Sequence, residues 1–329
     1  MTTIFREADA NPDLLADRTV AVIGYGNQGR AQALNLRDSG LRVLVGNIDD
    51  DYRATAQADG FDVRSIAHAV AEADVILILI PDEIMPNVFR THIAPHVRRG
   101  SMIAFASGFN VAFQHIACPA DVDVVLLAPR MIGAGVRRPY QQGAGFYSFV
   151  AVHQDATGKA KDLLLALCHA VGTLKKGAVQ VTFRMEAELD LFNEQGFGPA
   201  FGKVLLSAIE TLCEAGYPQE VVLLEMYLSG ELAFIFEKFT RQGLVQQLDD
   251  HSATSQYGAL SRGVKYWPLD VKGPMRSILS HIQNGGFARE WIWEQRLGKP
   301  RLRLLRFFAR MQPIRRIDLA VRKLLGLTQ

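Results

Sequence analysis

The segment TVAVIGYGNQGRAQALNLRDSG, Thr19 to Gly40, constrains the fold more than any other. An unbroken apolar run, Thr19–Ile23, leads into a G-x-G-x-x-G turn at Gly24, Gly26 and Gly29, and a helical stretch follows over Arg30–Asp38. The glycine pattern alone is weak. Between a strand and a helix it marks a turn that cradles a dinucleotide. The first glycine permits the tight turn, the second lets a pyrophosphate approach the backbone, and the third lets helix and strand pack closely. Unpaired amides and the helix dipole then face the anion. Tyr25, Asn27 and Gln28 fill the turn and join the three glycines as cofactor-binding candidates.

The first half of the chain repeats this theme. Apolar runs at Arg42–Val45, Val75–Ile80, Met102–Phe105, Val122–Leu127 and Tyr147–Val152 are rich in Val, Ile and Leu and scarcely alternate. Strands covered on both faces read this way. Strands alternating with helices predict an α/β, Rossmann-type, doubly wound parallel sheet with right-handed crossovers. It is expected over residues 1–183. Beyond Phe183 the strand-like runs stop, and stretches such as Phe201–Ala215 and Glu220–Phe239 have helical spacing. An all-α C-terminal domain is expected over 184–329.

Cofactor choice is usually read after the second strand of such a domain. Here that strand ends at Val45–Gly46–Asn47, followed by Asp49, Asp50 and Asp51. Carboxylates repel a 2′-phosphate and can accept hydrogen bonds from a free 2′-hydroxyl. Asn47, Asp49 and Asp51 are therefore candidates to read the ribose. They favour NADH, with NADPH possible because Arg53 is close by. The alternative is that the aspartates cap the next helix.

In the second half, EAELDLFNEQ places Asp190 and Glu194 four apart, on one helix face. Two carboxylates there repel unless a cation sits between them, and Mg²⁺ with bound waters suits. A solvated acidic face is the alternative. Glu225 and Glu231 are six apart and do not share a face; Ser229 takes the position four beyond Glu225.

Bulk properties exclude some classes. A formal net charge of +2 gives no sign of a nucleic-acid partner or a membrane surface. No apolar run approaches the roughly 20 residues that span a bilayer. Cys118, Cys168 and Cys213 share no motif spacing and read as buried free thiols. The N-terminus lacks a basic segment followed by an apolar one. A soluble cytoplasmic protein is expected. The arginine-rich tail beyond Lys299, with Leu302, Leu304, Leu305, Phe307 and Phe308 interleaved, reads as an amphipathic helix with a solvated basic face.

Many segments, in order from near residue 15 to about residue 300, resemble ketol-acid reductoisomerase in its short form. They are VAVIGYGNQGRAQALNLRDSG, ADVILILIPDE, IAPHVRRG, FASGFNV, PADVDVVLLAPR, AVHQDATGKAKDLLLA, LDLFNEQ, ETLCEAGY and IQNGGFAREWIWEQ. The resemblance implies a Rossmann domain, a knotted helical domain and an active site between them. It also implies a homodimer or higher homo-oligomer in which both subunits serve each site. The family uses Mg²⁺ to drive an alkyl migration in a 2-hydroxy-2-methyl-3-keto acid, and then reduces the product with a nicotinamide cofactor. By resemblance Asp190, Glu194 and Glu225 are metal ligands and Ser252 touches substrate. Pro81, Asp82 and Gly108, in the matched segments PDE and FASGFNV, complete the cofactor-side candidates.

Several departures fall on the chemistry. The family has histidine where this chain has Ser107, and lysine where it has Arg130. Its second helical metal clamp uses two glutamates four apart, and here Ser229 replaces one of them unless Glu231 stands in. Arginine stays protonated and cannot shuttle a proton. Serine is no acid or base near neutral pH. Hydride transfer asks only that the nicotinamide lie close to the acceptor carbon and that positive charge meet the developing anion. Arg130, Asp190, Glu194 and Ser107 are the catalytic candidates, with Ser252 and Glu231 at the substrate. The expected chemistry is reduction of a 2-keto acid or related carbonyl or imine in a specialised pathway, with isomerisation lost or altered. Complete reductoisomerase activity is the alternative. A β-hydroxyacid-type dehydrogenase would need a helical-domain lysine, and Lys203 lacks the surrounding motif. A non-catalytic scaffold would have no need to keep Asp190, Glu194 and Glu225.

Overall fold

The structure is a computed structural model and describes residues 2–327. The chain divides into two compact units, Met1–Asp190 and Leu191–Gln329. The division falls inside the helix Phe183–Phe192, whereas the sequence suggested a border where that helix begins.

The strands are β1 (Ile4–Phe5), β2 (Thr19–Ile23), β3 (Arg42–Gly46), β4 (Asp62–Arg64), β5 (Val75–Ile78), β6 (Met102–Phe105), β7 (Asp123–Pro129), β8 (Tyr147–Gln154) and β9 (Gly177–Gln180). They form one sheet in the order β1-β9-β8-β7-β6-β5-β2-β3-β4. From β4 to β7 every neighbour is parallel. Chain order reverses between β2 and β5, the switch point of a doubly wound sheet.

The amino-acid pattern explains why these strands are central. Val20, Val22, Val75, Leu77, Met102 and Ala104 pack into one core cluster. Ala21, Ile23, Ile76, Ile78, Ile103 and Phe105 pack into the other, on the opposite face. Both faces are dry, so both parities of each strand are apolar. At about 1.5–3 kcal/mol per fully buried aliphatic side chain, this two-sided burial dominates the stability of the unit.

Three differences from the sequence expectation stand out. The sheet is mixed: β8 runs antiparallel to β7, and β1 antiparallel to β9. The strands β1, β4 and β9 give no apolar run to read; β4 is simply Asp-Val-Arg. The helix after the glycine turn starts at Asn27, not Arg30, with Gly26 as its N-cap.

The second unit is helical throughout its described residues. Its principal helices are Gly198–Glu214, Glu231–Gln242, Ala253–Gly263, Lys272–Gln283, Gly286–Arg296, Pro300–Met311 and Pro313–Leu324. The stretch Glu220–Phe239 is not one helix. Gln219–Leu223 passes into a π-helical turn, Leu224–Leu228, and Gly230 at φ 86° breaks the run. Left-handed backbone of this kind ends helices.

The core of this unit is small. Ile209, Val222, Leu223, Ile282, Ala288 and Val321 are its buried apolar residues among the described residues. Val204, Tyr257, Tyr266 and Trp267 are each about 70% exposed or more. The tail forms two helices rather than one. Pro313–Leu324 turns Ile314, Ile317 and Val321 inward. On Pro300–Met311, Leu304, Leu305, Phe307 and Phe308 are all exposed. Of the three free cysteines only Cys168 is fully buried; Cys118 and Cys213 are half-buried. No helix among the described residues is long and apolar enough to cross a membrane.

Candidate active site

Doubly wound sheets bind ligands at the carboxyl ends of their strands, beside the switch point. That edge carries the glycine turn after β2, Asn47 after β3, Pro81 and Asp82 after β5, Ser107 after β6, and Arg130 after β7.

The glycine turn is shaped by close approach. Gly24 sits at φ +92°, and a Cβ there would lie 2.8 Å from the Leu79 carbonyl oxygen. A Cβ on Gly29 would lie 2.1 Å from the Gly24 carbonyl oxygen. Gly26 differs: a Cβ would meet nothing within 4 Å, so its open side faces free space at a helix N-terminus. This arrangement fits a pyrophosphate. The side chains of the turn are engaged elsewhere. Tyr25 is a correction to the sequence reading, because its ring is buried against Phe61 and its hydroxyl donates to Asp59 Oδ2 at 2.8 Å. Only its backbone is left at the turn. Asn27 Oδ1 accepts from the Gly133 N–H at 2.6 Å, and Gln28 Nε2 donates to the Met131 carbonyl at 2.7 Å. These two bonds tie the cofactor turn to the segment that follows Arg130.

The three aspartates sit in different places. Asp50 caps the helix Asp51–Ala58, accepting from the Arg53 N–H at 3.1 Å and from Asn47 Nδ2 at 2.7 Å. The capping alternative therefore holds for Asp50. Asp51 lies in the first turn of that helix, and Asp49 precedes the cap; both are exposed.

The reactive-looking cluster lies around Arg130. Its guanidinium bridges two carboxylates, Glu186 at 3.1 Å and Asp190 at 2.5 Å, and lies over the Phe149 ring. Glu186 is only 2% exposed. It also accepts from the Gly108 N–H at 2.6 Å. A Cβ on Gly108 would fall 2.3 Å from the Phe183 carbonyl oxygen, so that contact needs glycine. Burial pushes the Glu186 carboxyl up to about 7, against the lowering effect of the Gly108 N–H and Arg130. The sequence reading missed Glu186. Its signal was its place four residues before Asp190, on the same helix face; sequence gives no measure of its burial.

Beside this cluster, Ser107 Oγ donates to Asp82 Oδ2 at 3.2 Å. Asn110 Nδ2 donates to Asp82 Oδ1 at 3.0 Å and to the Asp82 carbonyl at 3.1 Å. Burial pushes the Asp82 carboxyl up to about 6; the Ser107 and Asn110 hydrogen bonds oppose the shift.

The helical unit places its candidates on separate elements. Glu194 is exposed in the π-helical turn Asn193–Phe197, just beyond the helix that carries Asp190. Glu225 is exposed in the turn Leu224–Leu228. Glu231 opens the next helix, its N–H donating to Ser229 Oγ at 3.3 Å. Ser252 is the N-cap of Ala253–Gly263, accepting from the Ser255 N–H at 3.3 Å. Lys203 is exposed on Gly198–Glu214. No three His, Cys, Asp or Glu side chains gather as a metal site among the described residues.

Comparison with known proteins matches both units. Residues 14–177 match the family described as acetohydroxy acid isomeroreductase, NADPH-binding domain. Residues 183–326 match the ketol-acid reductoisomerase C-terminal domain. The structure is similar to that of an NADH-preferring ketol-acid reductoisomerase from an uncultured archean, at 34% identity and a TM-score of 0.92, covering 98% of this chain and 99% of that one. Two more distant structures share the fold alone. One is a putative oxidoreductase from Jannaschia sp. CCS1, at 18% identity and a TM-score of 0.58, covering 81% of this chain and 95% of that one. The other is a semialdehyde dehydrogenase NAD-binding protein from Cupriavidus necator, at 19% identity and a TM-score of 0.59, covering 82% of this chain and 99% of that one. Two family models that together span nearly the whole chain, on a sheet whose switch point carries the glycine turn, show that it belongs to the ketol-acid reductoisomerase family, in its short form, and is an NAD(P)H-dependent oxidoreductase.

Proposed function

We propose that this chain reduces a 2-keto acid, or a related carbonyl or imine, with NADH, and that the alkyl migration of its family is lost or altered. The observation that carries the reading is the double ion pair of Arg130 with Glu186 and Asp190. A guanidinium stays charged at any working pH and cannot give up a proton to the substrate. It fixes two carboxylates and presents positive charge where a carbonyl oxygen becomes negative. Isomerisation needs groups that steer protons, and Ser107 and Arg130 stand where the family has histidine and lysine.

When bound, the nicotinamide supplies the hydride. The backbone of Gly24–Gly29 would hold its pyrophosphate, and Asp49, with Asn47 and Asp51 beside it, would face the ribose and discourage a 2′-phosphate. Pro81, Asp82 and Gly108 would flank the reactive end. Similarity to an NADH-preferring relative agrees with this choice. Mg²⁺ belongs to the proposal on donor chemistry alone. Asp190, Glu194 and Glu225 offer hard carboxylate oxygens, but Arg130 already occupies Asp190 Oδ1. Ser252 and Glu231 are proposed at the substrate. No step here depends on the metal.

The experiment incubates pure protein and Mg²⁺ with either 2-acetolactate or the already rearranged 3-hydroxy-2-keto acid, each with NADH and with NADPH. Turnover of the rearranged acid, with NADH preferred and acetolactate left unchanged, is expected. Efficient formation of 2,3-dihydroxy-isovalerate would restore complete reductoisomerase activity.

We also propose that the chain works as a homodimer or larger homo-oligomer in a soluble, cytoplasmic setting, without nucleic acid or membrane. The support is the helical unit, whose buried apolar residues are few beside its exposed aromatics. Exposed apolar patches of this kind mark association surfaces. Sedimentation equilibrium should give at least twice the chain mass of 36.4 kDa. A monomer at micromolar concentration would contradict the assignment.

A further inference from the structure

The geometry points to a proton relay: the Asp82 carboxyl hands a proton to the Ser107 hydroxyl, which delivers it to the substrate atom left negative by hydride addition. The inference rests on the reductase reading above and names the acid that reading lacks. A serine hydroxyl has no useful acidity of its own, so it must be resupplied. Among the described residues, Asp82 is the carboxyl hydrogen-bonded to Ser107.

The local bonds set the direction of transfer. Asn110, 1% exposed and therefore held in place, donates to Asp82 Oδ1 at 3.0 Å. That oxygen is kept as an acceptor, which leaves Oδ2, the oxygen facing Ser107, to carry a proton. An ionised carboxylate only accepts, so the single Ser107 O–H is then committed to Asp82. A protonated carboxyl donates. The bond to Ser107 then reverses, and the serine proton turns outward. The Phe109 N–H, 3.3 Å from Ser107 Oγ, holds the oxygen in place through either state.

The step balances. As the acceptor carbon gains hydride from NADH, its double-bond pair moves onto oxygen or nitrogen. That atom takes the Ser107 proton, Ser107 Oγ takes the Asp82 proton, and Asp82 is left as a carboxylate that water reprotonates. The substrate is reduced and the nicotinamide oxidised.

The charged surroundings favour a protonated Asp82. Glu83 from its own loop and Asp190 from the helix Phe183–Phe192 both disfavour a further negative charge, adding to the effect of burial. Asp82 in turn pushes up the Glu186 carboxyl on the same helix. Arg130, at the end of β7, is engaged by Glu186 and Asp190.

The test uses the full chain. Carbon NMR of labelled aspartate, assigned through Asp82→Asn, should show Asp82 titrating near 6. In Ser107→Ala that midpoint should rise, because the lost hydrogen bond favoured the ionised form. Asp82→Asn and Ser107→Ala should each slow keto-acid reduction about 100-fold. The double variant should be no slower than either single one. The fall in rate as pH rises past the Asp82 midpoint should vanish in Asp82→Asn. An Asp82 midpoint at the ordinary value of about 4, or an Asp82→Asn enzyme with unchanged rate and pH profile, would overturn the relay. A wild-type chain that reduces no keto acid would overturn the reductase reading instead, and the titration would still decide the Asp82–Ser107 coupling.

Discussion

Gly26→Ala should leave the fold intact and cripple cofactor binding, whereas Gly29→Ala should damage both. A methyl group on Gly26 meets no protein atom within 4 Å. Its cost to the fold is a poorer helix N-cap, about 1 kcal/mol. The same methyl projects into the space proposed for the pyrophosphate. Overpacking of that kind costs about 1–3 kcal/mol, and at about 1.4 kcal/mol per tenfold this weakens NADH by roughly 5- to 140-fold. At Gly29 the new carbon would stand 2.1 Å from a backbone oxygen of Gly24, with no side chain able to give way. Helix and strand must separate, so melting temperature and affinity fall together. Fluorescence titration with NADH and a thermal melt of each variant check both statements. Full NADH affinity in Gly26→Ala would show that the pyrophosphate lies elsewhere.

The second large effect belongs to Arg130→Met, and it should depend on pH. The contact with Asp190, 43% exposed, is worth little. The contact with Glu186, 2% exposed, is the one that counts. Removing one partner of a buried pair costs about 3–5 kcal/mol; the partial exposure of Arg130 brings this nearer to 2–3 kcal/mol. Glu186 is pushed up to about 7 in the folded protein, above its ordinary 4.5. A carboxyl raised in this way stabilises the fold below its unfolded value, and that contribution is lost as pH climbs through the folded one. Without Arg130 the folded value rises further, so the loss widens. Urea unfolding should therefore show Arg130→Met clearly less stable than wild type at pH 8 and close to it at pH 4.5, where Glu186 is protonated in both. Equal destabilisation at the two pH values would mean that the side chain acts by packing on Phe149 rather than by charge.

Much of this architecture is legible in the chain itself, for physical reasons. Runs such as VILI and TVAVI are apolar at both parities because each face of the sheet is covered, so the central strands declare themselves. Strands β1, β4 and β9 are short and lie at or near the sheet edges, where neither parity must be apolar. The break at Gly230 hides because a lone glycine in a helical pattern is ambiguous until its φ is known. In the candidate site, Arg130, Ser107 and Asp190 stand out through their departures from, or agreement with, a family pattern. Glu186 does not, because a carboxylate reads as solvated until the packing of Phe183 and Gly108 encloses it. Tyr25 errs the other way: it lies inside the motif, and the ring turns into the core where Phe61 and Asp59 receive it.

The cap formed by Asp50 bears on how such a loop can evolve. One aspartate holds the shape of the turn, its Oδ1 accepting from both the Arg53 amide and Asn47 Nδ2. Its neighbours Asp49 and Asp51 display charge without supporting the cap. With Asp49 and Asp51 proposed to face the ribose, shape and selectivity would be written in different letters of the same three-residue word. On the proposed ribose-side reading, drift at positions 49 and 51 would trade one dinucleotide for another at little cost in folding. Drift at position 50 forfeits about 1 kcal/mol of helix capping before any selectivity is gained.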